Sequence, residues 1–154
     1  MSSQHFADRL LTACAEKNSR LVVGLDPHVN LLPRHLIQTA SRDKTKSERE
    51  QLAIAALLFN KEIIAAVADH AVAVKPQLAL YEQWGAAGWQ TYEQTVQIAK
   101  EHGLLIIADG KRNDIGSSAE GYAAGLLGSA VEGAREVSTE ADAVTVNPYL
   151  GSDG

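Results

Sequence analysis

Apolar residues recur along the chain in two rhythms. Short runs, Leu21-Val22-Val23-Gly24-Leu25, Ala71-Val72-Ala73-Val74, Leu104-Leu105-Ile106-Ile107-Ala108 and Ala143-Val144-Thr145-Val146, alternate with longer segments where apolar residues return every three or four positions. The short runs suit parallel strands covered on both faces, and the spaced segments suit helices that bury one side. The first helix is predicted from about Ser3 to Lys17, with Phe6, Leu10, Ala13 and Cys14 on its apolar face. A second carries Leu52, Ala55, Phe59, Ile63, Ala66 and Val67 and stops at Asp69 and His70. A third follows a glycine-flexed turn from Trp84 to Trp89 and turns Trp89, Tyr92, Val96 and Ala99 inward. A fourth starts near Ser117, with Tyr122, Ala123, Leu126 and Leu127 inward, before a Gly-containing polar passage from Gly128 to Glu140.

From Asn30 to Glu50 the chain is irregular and then heavily charged, so residues 39–50 read as a solvated insertion leading into the second helix. The resulting order is a helix, then strand and helix three times, then a strand. Strand starts near residues 21, 72, 104 and 143 keep a βα period. The fold class is therefore α/β, a parallel sheet with right-handed crossovers, built either as an open doubly wound sheet or as part of a barrel. With 154 residues, 45% of them apolar, residues 1–154 are expected to form one domain.

Charge narrows the function. Nineteen acidic against 14 basic residues leave a formal charge of −5, so no overall basic field draws in nucleic acid or an anionic membrane. An anionic ligand would need a local cluster of cations, for which Lys75, Lys111 and Arg112 are candidates. Cys14 is the only cysteine, which excludes an internal disulfide and a cysteine-built metal site. The N-terminal residues lack a signal-peptide pattern and no run approaches the roughly 20 apolar residues of a membrane span, so a soluble cytoplasmic protein is expected. Neither G-x-G-x-x-G after the first strand nor G-x-x-x-x-G-K-[ST] is present, against dinucleotide or NTP binding.

Chemistry gathers where the strands end. Asp26 follows the first strand, Lys75 the second, Asp109 and Lys111 the third with Asp114 on the loop beyond, and Asn147 the fourth. Ligands of α/β proteins bind at such carboxyl ends. If the third strand continues far enough, Asp109 and Lys111 point the same way. D-x-K-x-x-D alone is equally the mark of a βα loop with a solvated ion pair. In that reading Asp114 or Ser117 caps the next helix, and Ser117-Ser118-Ala119-Glu120 forms a capping box. Asp26 before Pro27 is likewise an Asx-turn residue as readily as a ligand.

Four stretches carry a resemblance. Asp109-Gly110-Lys111-Arg112-Asn113-Asp114-Ile115-Gly116 resembles the signature of orotidine 5'-phosphate decarboxylase, in the bacterial branch with K-R-x-D-I-G. Val23-Gly24-Leu25-Asp26-Pro27-His28, Val74-Lys75-Pro76-Gln77-Leu78-Ala79-Leu80-Tyr81-Glu82 and Val146-Asn147-Pro148-Tyr149-Leu150-Gly151 match it in family order. The resemblance implies a (β/α)8 TIM barrel, of which this chain holds about the first four strand-helix units. It implies cofactor-free, metal-free loss of CO2 from orotidine 5'-monophosphate (OMP) to give UMP in pyrimidine synthesis, by a homodimer with shared sites. By the same resemblance Lys111 protonates C6, Asp109 lies beside the substrate carboxylate, and Lys75 completes the charge network. Asp26 binds ribose, Asp114 reaches across the dimer interface, Ser118 contacts the neighbouring ribose, and Asn147 contacts the pyrimidine. An alternating Lys-Asp array of this kind can hold every group ionised, each charge favouring the ionised form of its neighbour.

Two rival readings accompany this one. A related magnesium-dependent sugar-phosphate decarboxylase or aldolase shares D-x-K-x-x-D, although the Lys75-Pro76-Gln77 and Asp114-Ile115-Gly116 matches favour the nucleotide enzyme. A non-catalytic half-barrel is the other, because a complete barrel needs about 200 to 250 residues.

Overall fold

The computed structural model describes residues 5–128 and 140–151. Helix α1 (Phe6–Glu16) precedes strand β1 (Leu21–Leu25), a 3-10 turn (Val29–Leu31), α2 (Arg34–Ala40) and α3 (Glu48–Val67). Strand β2 (Ala71–Pro76) leads to α4 (Leu78–Glu82) and α5 (Ala86–Glu101), and β3 (Leu105–Arg112) leads to α6 (Gly116–Leu127), with β4 (Ala143–Val146) last. The predicted first residues of α1 and most of the polar passage from Gly128 to Glu140 lie outside the described residues.

All three pairings are parallel and the strand order is β1-β2-β3-β4. Each crossover steps the same way round, as in a (β/α)8 barrel, whereas a doubly wound sheet reverses its strand order partway. The barrel alternative is the one this chain adopts.

The unbroken apolar run of β3 is explained by its two covers. Ile106 and Ala108 pack in one core cluster with Ile64, Tyr81 and Val96 from the helices, while Leu105 and Ile107 join a second with Val72, Ala73 and α1 residues Phe6, Leu10, Ala13 and Cys14. Strand alternation sends successive residues to opposite faces, so both faces demand apolar side chains. Helix α1 is pinned by Arg9, which pairs with Asp142 at 2.5 Å, while the other Asp142 oxygen accepts the Ile106 N–H at 2.7 Å. Lys17 caps the end of α3, its Nζ donating to the Ala68 and Ala71 carbonyls at 2.7 and 2.9 Å.

Several expectations are corrected. The charged residues 42–49 are exposed as expected, but the stretch before them is not irregular: α2 occupies Arg34–Ala40 and buries Leu36 and Ala40. The charged run ends as a helix start, where Ser47 and Glu50 form a reciprocal capping box for α3. On α3, Ala55 is buried and Leu52, Phe59, Ile63 and Val67 pack against the core as expected, whereas Ala66 is exposed and the buried set also takes in Ala53, Ala56, Ile64 and the polar Asn60. Trp89 and Tyr122, expected inward, are 37% and 41% exposed. The capping box at Ser117 does not form, since α6 begins at Gly116 with Ile115 at its N-cap and no side-chain cap.

Helices α4 and α5 meet closely at Gly88, where any Cβ would overlap the Tyr81 carbonyl oxygen. Gly88→Ala must therefore push the two helices apart, an overpacking that costs about 1–3 kcal/mol. Urea unfolding is expected to show the midpoint falling accordingly, and an unchanged midpoint would show that this contact is slack.

Candidate active site

The ends of β2 and β3 bring one carboxylate between two ammoniums. Asp109 is only 5% exposed. Its Oδ1 accepts from Lys111 Nζ at 2.5 Å and Thr145 Oγ1 at 2.8 Å, and its Oδ2 accepts from Lys75 Nζ at 2.6 Å and Gln77 Nε2 at 3.3 Å. Burial alone would push the Asp109 carboxyl up, but hydrogen bonds from Lys111, Lys75 and Thr145 outweigh it and hold the group well below the usual carboxylate range. The solvated ion pair that D-x-K-x-x-D alone allowed is thus replaced by a saturated, buried anion.

Strand β3 reaches Lys111 by bending. Ala108 faces Val144 and Arg112 faces Val146, so three β3 residues lie opposite the single residue Thr145. Such a bulge re-aims side chains. Within it Lys111 has φ +49°, a left-handed conformation uncommon outside glycine and one that clusters at functional sites. Gly110 between them answers to space: a Cβ there would stand 2.8 Å from Leu78 Cδ1 of α4.

The remaining predicted residues fall into two groups. Asp26 is exposed at the end of β1 and lines a concavity of about 440 Å³ with His28, Gln77, Gly110 and Lys111, so it shares the face of the array. Asn147 is at that face too, its Nδ2 donating to the Lys111 carbonyl at 3.0 Å. Asp114 and Ser118 stand apart from the array. Asp114 accepts the Ile115 N–H at 2.8 Å and lines a separate concavity of about 380 Å³ with Asn113, Tyr122, Val144 and Val146, and Ser118 is exposed in the first turn of α6. Arg112, a candidate for the cation cluster, is instead engaged by Glu82 and stacked over the Tyr122 ring at 5.5 Å.

Sequence reasoning missed the groups behind this face. Thr145 reads as an ordinary β-branched strand residue. Tyr81 is fully buried, donates to the Leu25 carbonyl at 3.1 Å and accepts from Asn60 Nδ2 at 3.0 Å, and Asn60 also donates to Thr95 at 3.0 Å. That network ties α3, α4 and α5 to the residue before Asp26. The available signal was Asn60, a polar residue at the centre of an apolar helical stripe.

The sequence model of the orotidine 5'-phosphate decarboxylase / HUMPS family matches residues 19–154. The chain belongs to this family. It is 40% identical over 151 residues to orotidine 5'-phosphate decarboxylase of Caldicellulosiruptor saccharolyticus, covering 97% of this chain and 49% of that protein. With the same enzyme of Rhodopirellula baltica the identity is 42% over 148 residues, covering 96% and 47%. Among solved structures, Leishmania donovani OMP decarboxylase superposes with a TM-score of 0.69 at 29% identity, covering 97% of this chain and 47% of that one. The chain thus spans about half the length of the relatives it matches, and its four parallel strands correspond to about half of their barrel. Among the described residues no helix is long and apolar enough to cross a membrane.

An acid-stability signature follows from Asp109. Its folded pKa lies below the unfolded value of about 3.9, so the stabilisation it gives is complete above that value and is lost as pH falls through the folded one. Urea midpoints taken from pH 6 to pH 3 are expected to drop more steeply for the native chain than for Asp109→Asn. Parallel curves would mean that Asp109 is not held ionised.

Proposed function

We propose that residues 1–154 supply, as one domain, the charged half of a cytoplasmic, homodimeric orotidine 5'-monophosphate decarboxylase that forms UMP without metal or organic cofactor. The observation that carries this reading is the Asp109 carboxylate fixed between the Lys75 and Lys111 ammoniums at the strand ends. Heterolysis of the bond between C6 and the substrate carboxylate releases CO2 and leaves an electron pair in the plane of the pyrimidine, where the ring π system cannot spread it. Stabilisation must come from charge already in place. Lys111 faces that developing charge and gives C6 its proton, regaining one from solvent afterwards. Asp109 and Lys75 hold the ammonium in position, Asp26 and Lys75 engage the ribose, and Asn147 meets the pyrimidine.

Asp114 and Ser118 serve the partner subunit's site in this scheme, which agrees with their standing apart from the array of their own chain. The magnesium-dependent alternative is disfavoured by the hydrogen bonding of Asp109: all four of its lone-pair directions are already taken by Lys75, Gln77, Lys111 and Thr145.

The test uses a chain of the relatives' length that includes residues 1–154, here termed the long form. Ultraviolet absorbance should show it converting OMP to UMP at a rate that EDTA leaves unchanged. No conversion, or conversion abolished by EDTA and restored by magnesium, would reject the proposal. For the shared site, mixed Asp114→Asn and Lys111→Ala subunits of the long form should regain activity that neither has alone, through sites intact in both chains. Heterodimers without activity would show that Asp114 does not act in trans.

A further inference from the structure

We infer that Thr145 is a positioning residue that fixes Asp109 and Lys111 relative to one another through its hydroxyl. Thr145 is the one β4 residue opposite the bulge, flanked by the Ala108–Val144 and Arg112–Val146 pairs. A hydroxyl carries one proton and two lone pairs, and both functions are used here. Its Oγ1 donates to Asp109 Oδ1 at 2.8 Å and accepts the Lys111 backbone N–H at 3.0 Å.

The N–H bond replaces a ladder partner that the bulge removes, at the residue whose backbone is left-handed. Asn147, the residue after β4, completes the clamp by holding the Lys111 carbonyl at 3.0 Å, so both peptide groups of Lys111 are gripped from this side. The bond to Asp109 fixes the carboxylate plane, turning Oδ1 toward Lys111 and leaving Oδ2 for Lys75. Strand formation alone does not call for this hydroxyl, since valine has the same shape and equal or better strand propensity. The charged groups facing Asp109 are Lys75 from β2 and Lys111 from β3, with Asp26 beyond β1 and the Glu82–Arg112 pair on the rim of the neighbouring concavity. Thr145 is the contribution of β4, and it is neutral.

The consequence for decarboxylation rests on the proposed function, but the positioning itself does not, so the test reads ionisation and hydrogen bonding without substrate. Carboxyl carbon NMR of Asp109 through an acid titration, and hydrogen exchange of the Lys111 amide, are measured in residues 1–154 and in Thr145→Val and Thr145→Ser. Thr145→Val should raise the Asp109 midpoint by about one pH unit and speed Lys111 exchange about tenfold or more, while Thr145→Ser stays near the native chain in both. Either readout unchanged in Thr145→Val, or Thr145→Ser altered as much as Thr145→Val, would overturn the inference. Unfolding of Thr145→Val would overturn it too, since the hydroxyl would then be holding the strand together. Failure of the long form to decarboxylate OMP leaves both readouts standing and rejects only the proposed function.

Discussion

Lys111→Ala in the long form is expected to lower kcat for OMP by about a hundredfold or more, the scale of a lost positioned proton donor, while the protein still folds and binds nucleotide. Folding should survive because the Lys111 side chain is 56% exposed, so truncating it opens no cavity in the core. Asp109 also keeps Lys75, Gln77 and Thr145 as partners. The loss therefore reports on chemistry. Retention of more than about a tenth of native kcat, a barrier change under roughly 1.4 kcal/mol, would remove Lys111 from the role of donor and leave Lys75 as the nearest alternative.

Residues 1–154 expressed alone are expected to turn over OMP at less than about a hundredth of the long form's rate, despite carrying the whole Lys-Asp array. Barrel enzymes commonly bind phosphate with the loops after strands seven and eight, and the described residues hold four strands. Binding energy from a remote phosphate is what can hold the reacting carboxylate against the array, so its loss lowers kcat as well as affinity. The two edges of the sheet also carry apolar residues into solvent: Leu21 and Val22 on β1 are 48% and 39% exposed, and Val146 on β4 is 58% exposed. Unpaired apolar edges favour association. Light scattering should show self-association, and a monomer with full turnover would mean that this half contains a phosphate site of its own.

What could be read from the sequence follows from how uniform each environment is. All four strands were legible as unbroken apolar runs, although only β2 and the first part of β3 are covered on both faces, while β1 and β4 leave apolar residues in solvent. The choice between barrel and doubly wound sheet was legible only through the motif resemblance and not from periodicity, since it depends on which way each crossover steps. Helices α2 and α4 escaped because they are short, with Pro33 or Pro76 close before them, and carry too few turns for a period to register. The burial of Asn60 on α3 escaped because the residue is polar and bonds Tyr81 and Thr95 instead of water. At the site, Asp109, Lys75 and Lys111 were legible as charges ending apolar runs. Thr145 was not, because its function depends on a bulge in a different strand, and no local pattern in β4 records that.

In the proposed reaction C6 of the substrate meets Lys111 in front of the Asp109 carboxylate. The most direct measurement is a crystal structure of the long form with a UMP analogue bearing an anionic oxygen at C6, a mimic of the charge that develops there. That oxygen is expected within hydrogen-bond distance of Lys111 Nζ, with Asp109 still between Lys75 and Lys111 and the ribose against Asp26. An analogue bound elsewhere, or with C6 turned away from Lys111, would contradict it.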